Sequence, residues 1–432
     1  MYERRADLRA AQEDSGSGTR TQNTGTLQII VTSSVAYIPI KGATVTISYT
    51  GDPDSPIMTL TTDSSGETEV VTLPTPPLSY SLNPESLQQP YSEYNITVTA
   101  EGYEPVYVTG SEMFEGELSL QPIRMNPVEM EAGENEKLVA IPVHTLFGDY
   151  PPKIPEDEIK PIAETGEIVL SRVVIPEYVI VHDGVPSDSS APNYWVRYKD
   201  YIKNVASCEV YSTWPEATLY ANILVIMSFT LNRVYTEWYR NQGYNFTITS
   251  STAYDQKWVY GRNIFSNIDF LVDTIFANFL SRPGVRQPIF TSYCDGQRVT
   301  CSGLSQWGSK YLGDQGYSAI EIIRYYYGND MYINTADVIS GVPSSWPGYS
   351  LTVGSSGEKV LQLQNQLNRI ARNYPAIPVI TADGIYGPLT AGAVRTFQGI
   401  FNLPQTGVVD YPTWYEISDI YVGVSRIAEP GQ

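Results

Sequence analysis

The sequence predicts a multidomain α+β protein. Three observations carry that reading: β-branched runs at strand spacing in the first third, a long apolar helical periodicity after Trp214, and three short amphipathic helices after Leu351. At 432 residues and 42% hydrophobic content the chain can bury more than one core, so roughly two to four domains are expected.

Residues 1–25 are polar and rich in Gly, Ser and Thr, and read as a mobile tail. From 26 to 125, TLQIIVTS, ATVTISYT, ETEVVTL, YNITVTA and GELSLQPI are strand-like runs separated by turn signals such as GDPD and DSSG, which predicts a small β-sandwich. Residues 126–165 are acidic and interrupted by proline, so few backbone hydrogen bonds can form within them. An exposed linker is expected there, open to proteolytic nicking.

From 166 to 340 strands and helices mix. EIVLSRVVI and IPEYVIVH read as strands, and a helical block runs from Trp214 to about Tyr239, with Leu219, Ile223, Ile226, Thr230 and Val234 at steps of three and four. Glu209 is expected in the loop before that block. A loop folded over the helix N-terminus would favour its ionised form, whereas packing against Tyr211 and Trp214 would favour the protonated acid. From 351 to 425, Val360, Leu363, Leu367 and Ile370 line one helix face, and Ala393, Val394, Phe397 and Phe401 a second. Asp383-Gly384 and Gly387-Pro388 make the turn between them.

The balance of 27 Lys plus Arg against 47 Asp plus Glu, a net charge of −20, argues against a phosphate-tracking surface and against nucleic acid as a partner. The N-terminus has no apolar core of secretory-signal length, so no classical signal peptide is expected. The longest apolar run, 221–229, falls short of the roughly twenty residues needed to span a bilayer. Three cysteines are too few to staple this much chain. Cys294 and Cys301 either close a disulfide, hold half of a metal site, or stay thiols. With two histidines in the chain a metal site is not expected, and no cofactor is predicted. Cys208 beside Glu209 leaves a thiol nucleophile as a minor alternative.

Residues 201–235, YIKNVASCEVYSTWPEATLYANILVIMSFTLNRVY, resemble the signature of the stage II sporulation protein D family of lytic transglycosylases. Cys208-Glu209 falls on its Ser-Glu pair, Trp214 on an aromatic, Leu219 on a leucine, Asn222 on a glutamine, and Ser228-Phe229 on the closing Thr-Phe. Tyr211 replaces a proline and Met227 an arginine. The blocks SSTAYDQKWVYG (250–261), QPIFTSYCDG (287–296) and CSGLSQWG (301–308) continue the resemblance, but Thr300 or Cys301 stands where the family has a histidine. The resemblance implies Glu209 as the catalytic acid and then base. Asp255, Gln256, Tyr293, Ser305, Gln306 and Trp307 are expected as substrate contacts, and Asp255 as the second carboxylate if the reaction were hydrolysis.

The C-terminal motifs, Asp-Gly-x-Tyr-Gly, Ala-Val-x-x-Phe-Gln and Thr-Trp among them, are similar to the three-helix peptidoglycan-binding domain of wall hydrolases, with Asp383, Tyr386 and Gln398 as candidate contacts. The phrases PIKGATVTI and YNITVTAEGYEP are similar to carboxypeptidase regulatory-like sandwiches. Taken over the chain, the resemblance is to spore cortex-lytic enzymes of the clostridial type. It implies a zymogen whose pro-region is removed by an activating protease during germination, acting on cortex peptidoglycan glycan strands in the spore cortex or coat region. Trimming to about residue 150 is then expected to raise activity. A non-enzymatic wall-binding or spore-coat protein, and a peptidoglycan hydrolase using Glu209 with Asp255, are the alternatives.

Overall fold

The computed structural model describes residues 22–35, 37–128, 137–160, 172–336, 338–341 and 346–425. The predicted N-terminal tail lies almost wholly outside these residues, as do parts of the predicted linker. Two sheets build the N-terminal third from β1 (Thr24–Ser33), β2 (Thr44–Tyr49), β3 (Asp52–Thr61), β4 (Val71–Pro74), β5 (Ser92–Thr99), β6 (Val106–Met113) and β7 (Leu118–Met125). In β1, Leu27, Ile29 and Val31 point inward at every second residue, as a strand with one buried face requires. They share a core with Val45, Ile47, Ile96, Val98 and Val108 of the second sheet.

Both sheets borrow strands from beyond residue 125. β8 (Leu138–Ala140), inside the expected linker, pairs in parallel with β6. Much further on, β13 (Ile264–Phe265) pairs with β7, completing the order β13-β7-β1-β4 against β3-β2-β5-β6-β8. The N-terminal unit is thus laced into the centre of the chain. Arg262, next to β13, is buried and grips buried Glu112 of β6 at 3.3 and 2.5 Å, and Asn263 bonds Glu112 and Ser119.

The central region mixes short strands with helices: β9 (Val174–Ile175), β10 (Tyr178–His182), β11 (Asn193–Arg197), α1 (Tyr198–Glu209), α2 (Glu216–Tyr235), β12 (Ile248–Thr249), α3 (Ser266–Ile275), β14 (Asn278–Ser281), β15 (Tyr293–Cys294), β16 (Leu304–Ser305), α4 (Gln306–Asp314), α5 (Ala319–Tyr327), β17 (Tyr332–Thr335) and β18 (Val338–Ile339). Helix α2 is the hub. Its residues from Ala221 to Arg233 are all buried, so the stripe expected from its three- and four-residue steps is really a helix enclosed on every side. It is long and apolar enough to cross a membrane, but 83% of its apolar window is buried inside the protein.

The C-terminal region forms three helices, α6 (Glu358–Ala371), α7 (Pro388–Ile400) and α8 (Tyr411–Ser425). It is docked rather than tethered. Lys199 of α1 bridges Glu416 (2.6 Å) and Asp419 (2.8 Å) of α8 and Asp273 of α3 (3.3 Å). Phe276 packs edge-on against Tyr415.

Candidate active site

Glu209 is the last residue of α1, not a residue of the following loop. Serine, cysteine and alanine just before it are compatible with helix, and the Tyr198–Glu209 helix ends where Val210 turns extended. The correction changes the electrostatics: at a helix C-terminus the exposed carbonyls favour the neutral carboxyl over the ionised one. The side chain is fully buried. Burial raises its pKa, opposed by Lys153, by the Lys257 backbone N–H and by the Tyr293 hydroxyl. The Lys257 N–H donates to Oε1 at 2.7 Å, and the Tyr293 hydroxyl donates to Oε2.

The residues flanking Lys257 explain why its N–H is available. Asp255 is buried and saturated: Arg233 Nε (2.7 Å) donates to one oxygen, while Tyr239 Oη (2.6 Å), Thr249 N (2.9 Å) and Thr249 Oγ1 (2.7 Å) donate to the other. Gln256 accepts from Tyr201 and Thr230 and donates to the Ile226 carbonyl. Both side chains therefore clamp the 255–257 turn to α1 and α2 instead of facing substrate. The four hydrogen bonds that Asp255 accepts hold it in place between Arg233, Tyr239 and Thr249.

The other predicted contacts divide in the same way. Tyr293, in β15, is buried, and its parallel pairing with Leu304 of β16 brings the 301–308 block beside it. Ser305 caps α4, accepting from Gly308 N at 2.9 Å, so its hydroxyl oxygen is engaged at the helix start. Gln306 is fully buried, and neither amide atom has a protein partner. Trp307 packs on Trp214 with ring centroids 4.9 Å apart and on Tyr211 at 6.0 Å, so its face is covered. Cys294 and Cys301 are joined in a disulfide across the loop that holds Asp295. Cys208 is a buried free thiol whose pKa burial pushes up to about 12, which argues against a thiolate nucleophile. Among the described residues, no group of three or more His, Cys, Asp or Glu side chains converges as a metal site.

The segment expected as an exposed linker lies across this site. Thr145 bonds the Cys208 carbonyl through both N–H and Oγ1. Tyr150 is buried near Glu209, its hydroxyl without a partner. The Lys153 ammonium sits 4.2 Å from the Tyr293 ring centroid and donates to the Asp255 carbonyl. Ile154 N–H reaches Ala253 O at 2.8 Å, Glu156 holds Arg233 at 2.8 and 2.6 Å, and Lys160 pairs with Glu156 and covers the Phe290 ring. The prolines at 151, 152 and 155 keep this stretch extended. The lack of internal hydrogen bonds expected from them is what leaves its polar groups free to bond the core. Sequence reading missed Tyr150, Lys153, Glu156 and Arg233; the signal was Tyr and Lys embedded between prolines, which read as solvent-facing.

In the C-terminal helices, Asp383 is exposed, and it accepts from Ile385 N and Gln364. Tyr386 and Gln398 are buried and turned inward, Tyr386 to the Gly407 carbonyl and Gln398 to Gly407 N, Val408 O and Thr413. They staple the loop before α8 rather than line a surface groove.

Solved structures give weak likenesses. The minor pilin GBS52 of Streptococcus agalactiae is 15% identical with a TM-score of 0.18, over 26% of this chain and 48% of that one. 5-Hydroxyisourate hydrolase of Klebsiella pneumoniae is 17% identical with a TM-score of 0.16, over 24% and 90%. 3-Chlorocatechol 1,2-dioxygenase of Rhodococcus opacus 1CP is 12% identical with a TM-score of 0.18, over 26% and 64%. The chain spans about half the length of the pilin, and similarity at this level fixes neither fold nor chemistry. No curated protein sequence matches the chain. Residues 356–417, which contain α6 and α7, match the family model described as "Putative peptidoglycan binding domain", and this C-terminal region associates the chain with the bacterial cell wall.

Proposed function

We propose that the chain is a peptidoglycan lytic transglycosylase held in an inactive form. The observation that carries the reading is the Glu209 carboxyl: fully buried, raised in pKa by that burial, and oriented by Lys257 N–H and Tyr293 Oη. A carboxyl whose pKa is raised by burial holds its proton to higher pH and is suited to give it to a glycosidic oxygen. As a carboxylate it then takes the proton of the muramic acid 6-hydroxyl. That oxygen attacks C1 and closes a 1,6-anhydro ring, with no water added and no second carboxylate required. The saturation of Asp255 speaks for this one-acid route over hydrolysis.

The closed site supports the zymogen reading. Tyr150 is buried near Glu209 and Lys153 lies over the Tyr293 ring that holds it, so on this reading an activating protease acts by releasing residues 150–160, and a cut upstream of 150 leaves them in place. The family resemblance supports spore cortex as the target and germination as the occasion. The same closure favours a second reading, a non-catalytic wall-binding protein. The test is mass analysis of muropeptides released from cortex and vegetative wall by full chain, by chain trimmed of residues 150–160 through cuts on both sides with the N-terminal sheets still bound, and by its Glu209→Gln variant. Anhydro products from the trimmed chain, absent with Glu209→Gln, support the enzyme; no release from any form supports the binder.

A further inference from the structure

Lys153 reaches the site from the proline-flanked segment 150–160, and two aromatic faces and a carbonyl receive its charge. The ammonium sits 4.2 Å from the ring centroid of Tyr293 and 5.4 Å from that of Phe229, and it donates to the Asp255 carbonyl. Both distances lie within the reach of cation–π attraction, which strengthens when the cation has lost its water. Burial lowers the Lys153 pKa, and Glu209 is the carboxylate that resists this most. In return, Lys153 is the group that most opposes the effect of burial on Glu209. Tyr293 carries both contacts: its ring faces the ammonium and its hydroxyl donates to Glu209. The other cation nearby, Arg233, is held by Asp255 and Glu156.

Lys153 belongs to the segment proposed to leave, whereas the groups around its ammonium belong to the core, Tyr293 to β15, Phe229 to α2 and Asp255 to the turn before Lys257. What the segment leaves behind is a place for one positive charge beside the Glu209 carboxyl. Glycosidic cleavage develops one such charge. The C1–O bond breaks with its electron pair going to the leaving oxygen, which takes the Glu209 proton, and positive charge spreads over C1 and the ring oxygen. It lasts until the 6-hydroxyl oxygen closes on C1 and returns its proton to Glu209. A site already arranged around a cation needs no reorganisation to meet this one. We propose that the Lys153 ammonium is a built-in stand-in for the oxocarbenium ion of the muramic sugar, and that the Tyr293 and Phe229 faces with the Asp255 carbonyl receive that ion once the segment leaves. The proposal rests on the Glu209 reading and adds to it the groups that meet the charge on carbon, which a one-acid route has no second carboxylate to do.

The first test uses the uncut chain. Lys153→Ala empties the place of the ammonium, and ethylammonium, ethanol or sodium chloride is titrated in while the melting temperature is followed. A saturable rise of about 2 °C with ethylammonium, absent with ethanol, with the salt and in the unaltered chain, supports a site that selects a cation. An equal rise with ethanol, or none with ethylammonium, overturns it. The second test does not depend on Lys153→Ala folding. Chain cut on both sides of residues 150–160 is titrated calorimetrically with an N-acetylglucosamine-configured iminosugar, protonated at its ring nitrogen, and with the uncharged carbocyclic counterpart. The charged sugar is expected to bind about tenfold more tightly; equal binding, or none, overturns the proposal. Binding is read as heat, so tighter binding of the charged sugar without anhydro products counts against the Glu209 reading alone. Anhydro products with equal binding of the two sugars count against the charge site alone.

Discussion

Glu156 holds both terminal nitrogens of buried Arg233, which at the same time donates through Nε to Asp255. One cation thus fastens the 150–160 strap to the turn that presents Lys257 N–H to Glu209. A hydrogen bond to a charged group is worth about 1.5–3 kcal/mol, so Glu156→Ala in the untrimmed chain is expected to loosen the strap and raise muropeptide release about tenfold. Its melting temperature should fall by several degrees as Arg233 loses a partner. Unchanged release with lowered stability would mean that the strap does not gate the site.

Glu209→Gln is expected to remove activity of the trimmed chain by about 10²–10⁴-fold, the range for a positioned proton donor, with folding intact. Tyr293→Phe is milder and more informative. The Tyr293 hydroxyl lowers the Glu209 pKa, so its loss raises that pKa and should move the alkaline limb of the pH–rate profile upward. A limb that shifts downward or stays fixed contradicts the assignment.

The Glu112–Arg262 pair joins the N-terminal sheets to β13. Removing one partner strands a buried charge, at a cost of about 3–5 kcal/mol. Arg262→Met is expected to lower the chemical denaturation midpoint sharply, and adding Glu112→Leu should restore much of the loss. Additive losses in the double variant would show that the pair is not coupled.

Stability should also fall as pH rises. Burial raises Glu67 to about 8 and both Glu112 and Glu117 to about 7, Glu112 in spite of Arg262. Below the unfolded value, near 4.5, both states are protonated and the stabilisation is fully present. Between there and about 8 the unfolded chain ionises first, so the folded state binds more protons and stability declines. Calorimetric melting from pH 5 to 8.5 should show that decline, and Glu67→Gln should flatten it.

Local pattern determined a good part of this protein by itself. Period-two burial in β1, the long apolar helix α2 and the three C-terminal helices follow from side-chain spacing, because each element must turn its apolar face to a core. The motif around Glu209 singled out a carboxyl from residue order alone. Only the tertiary structure decided the state of that carboxyl and the role of its neighbours. Residues 150 and 153 come near Glu209 across more than fifty positions, and Asp255, Trp307 and Gln398 are engaged by partners well beyond the next turn of chain. A proline-rich acidic run reads as solvent-facing because nothing inside it can satisfy its polar groups. The fold supplies those partners from outside, and an expected linker becomes the cover of the site.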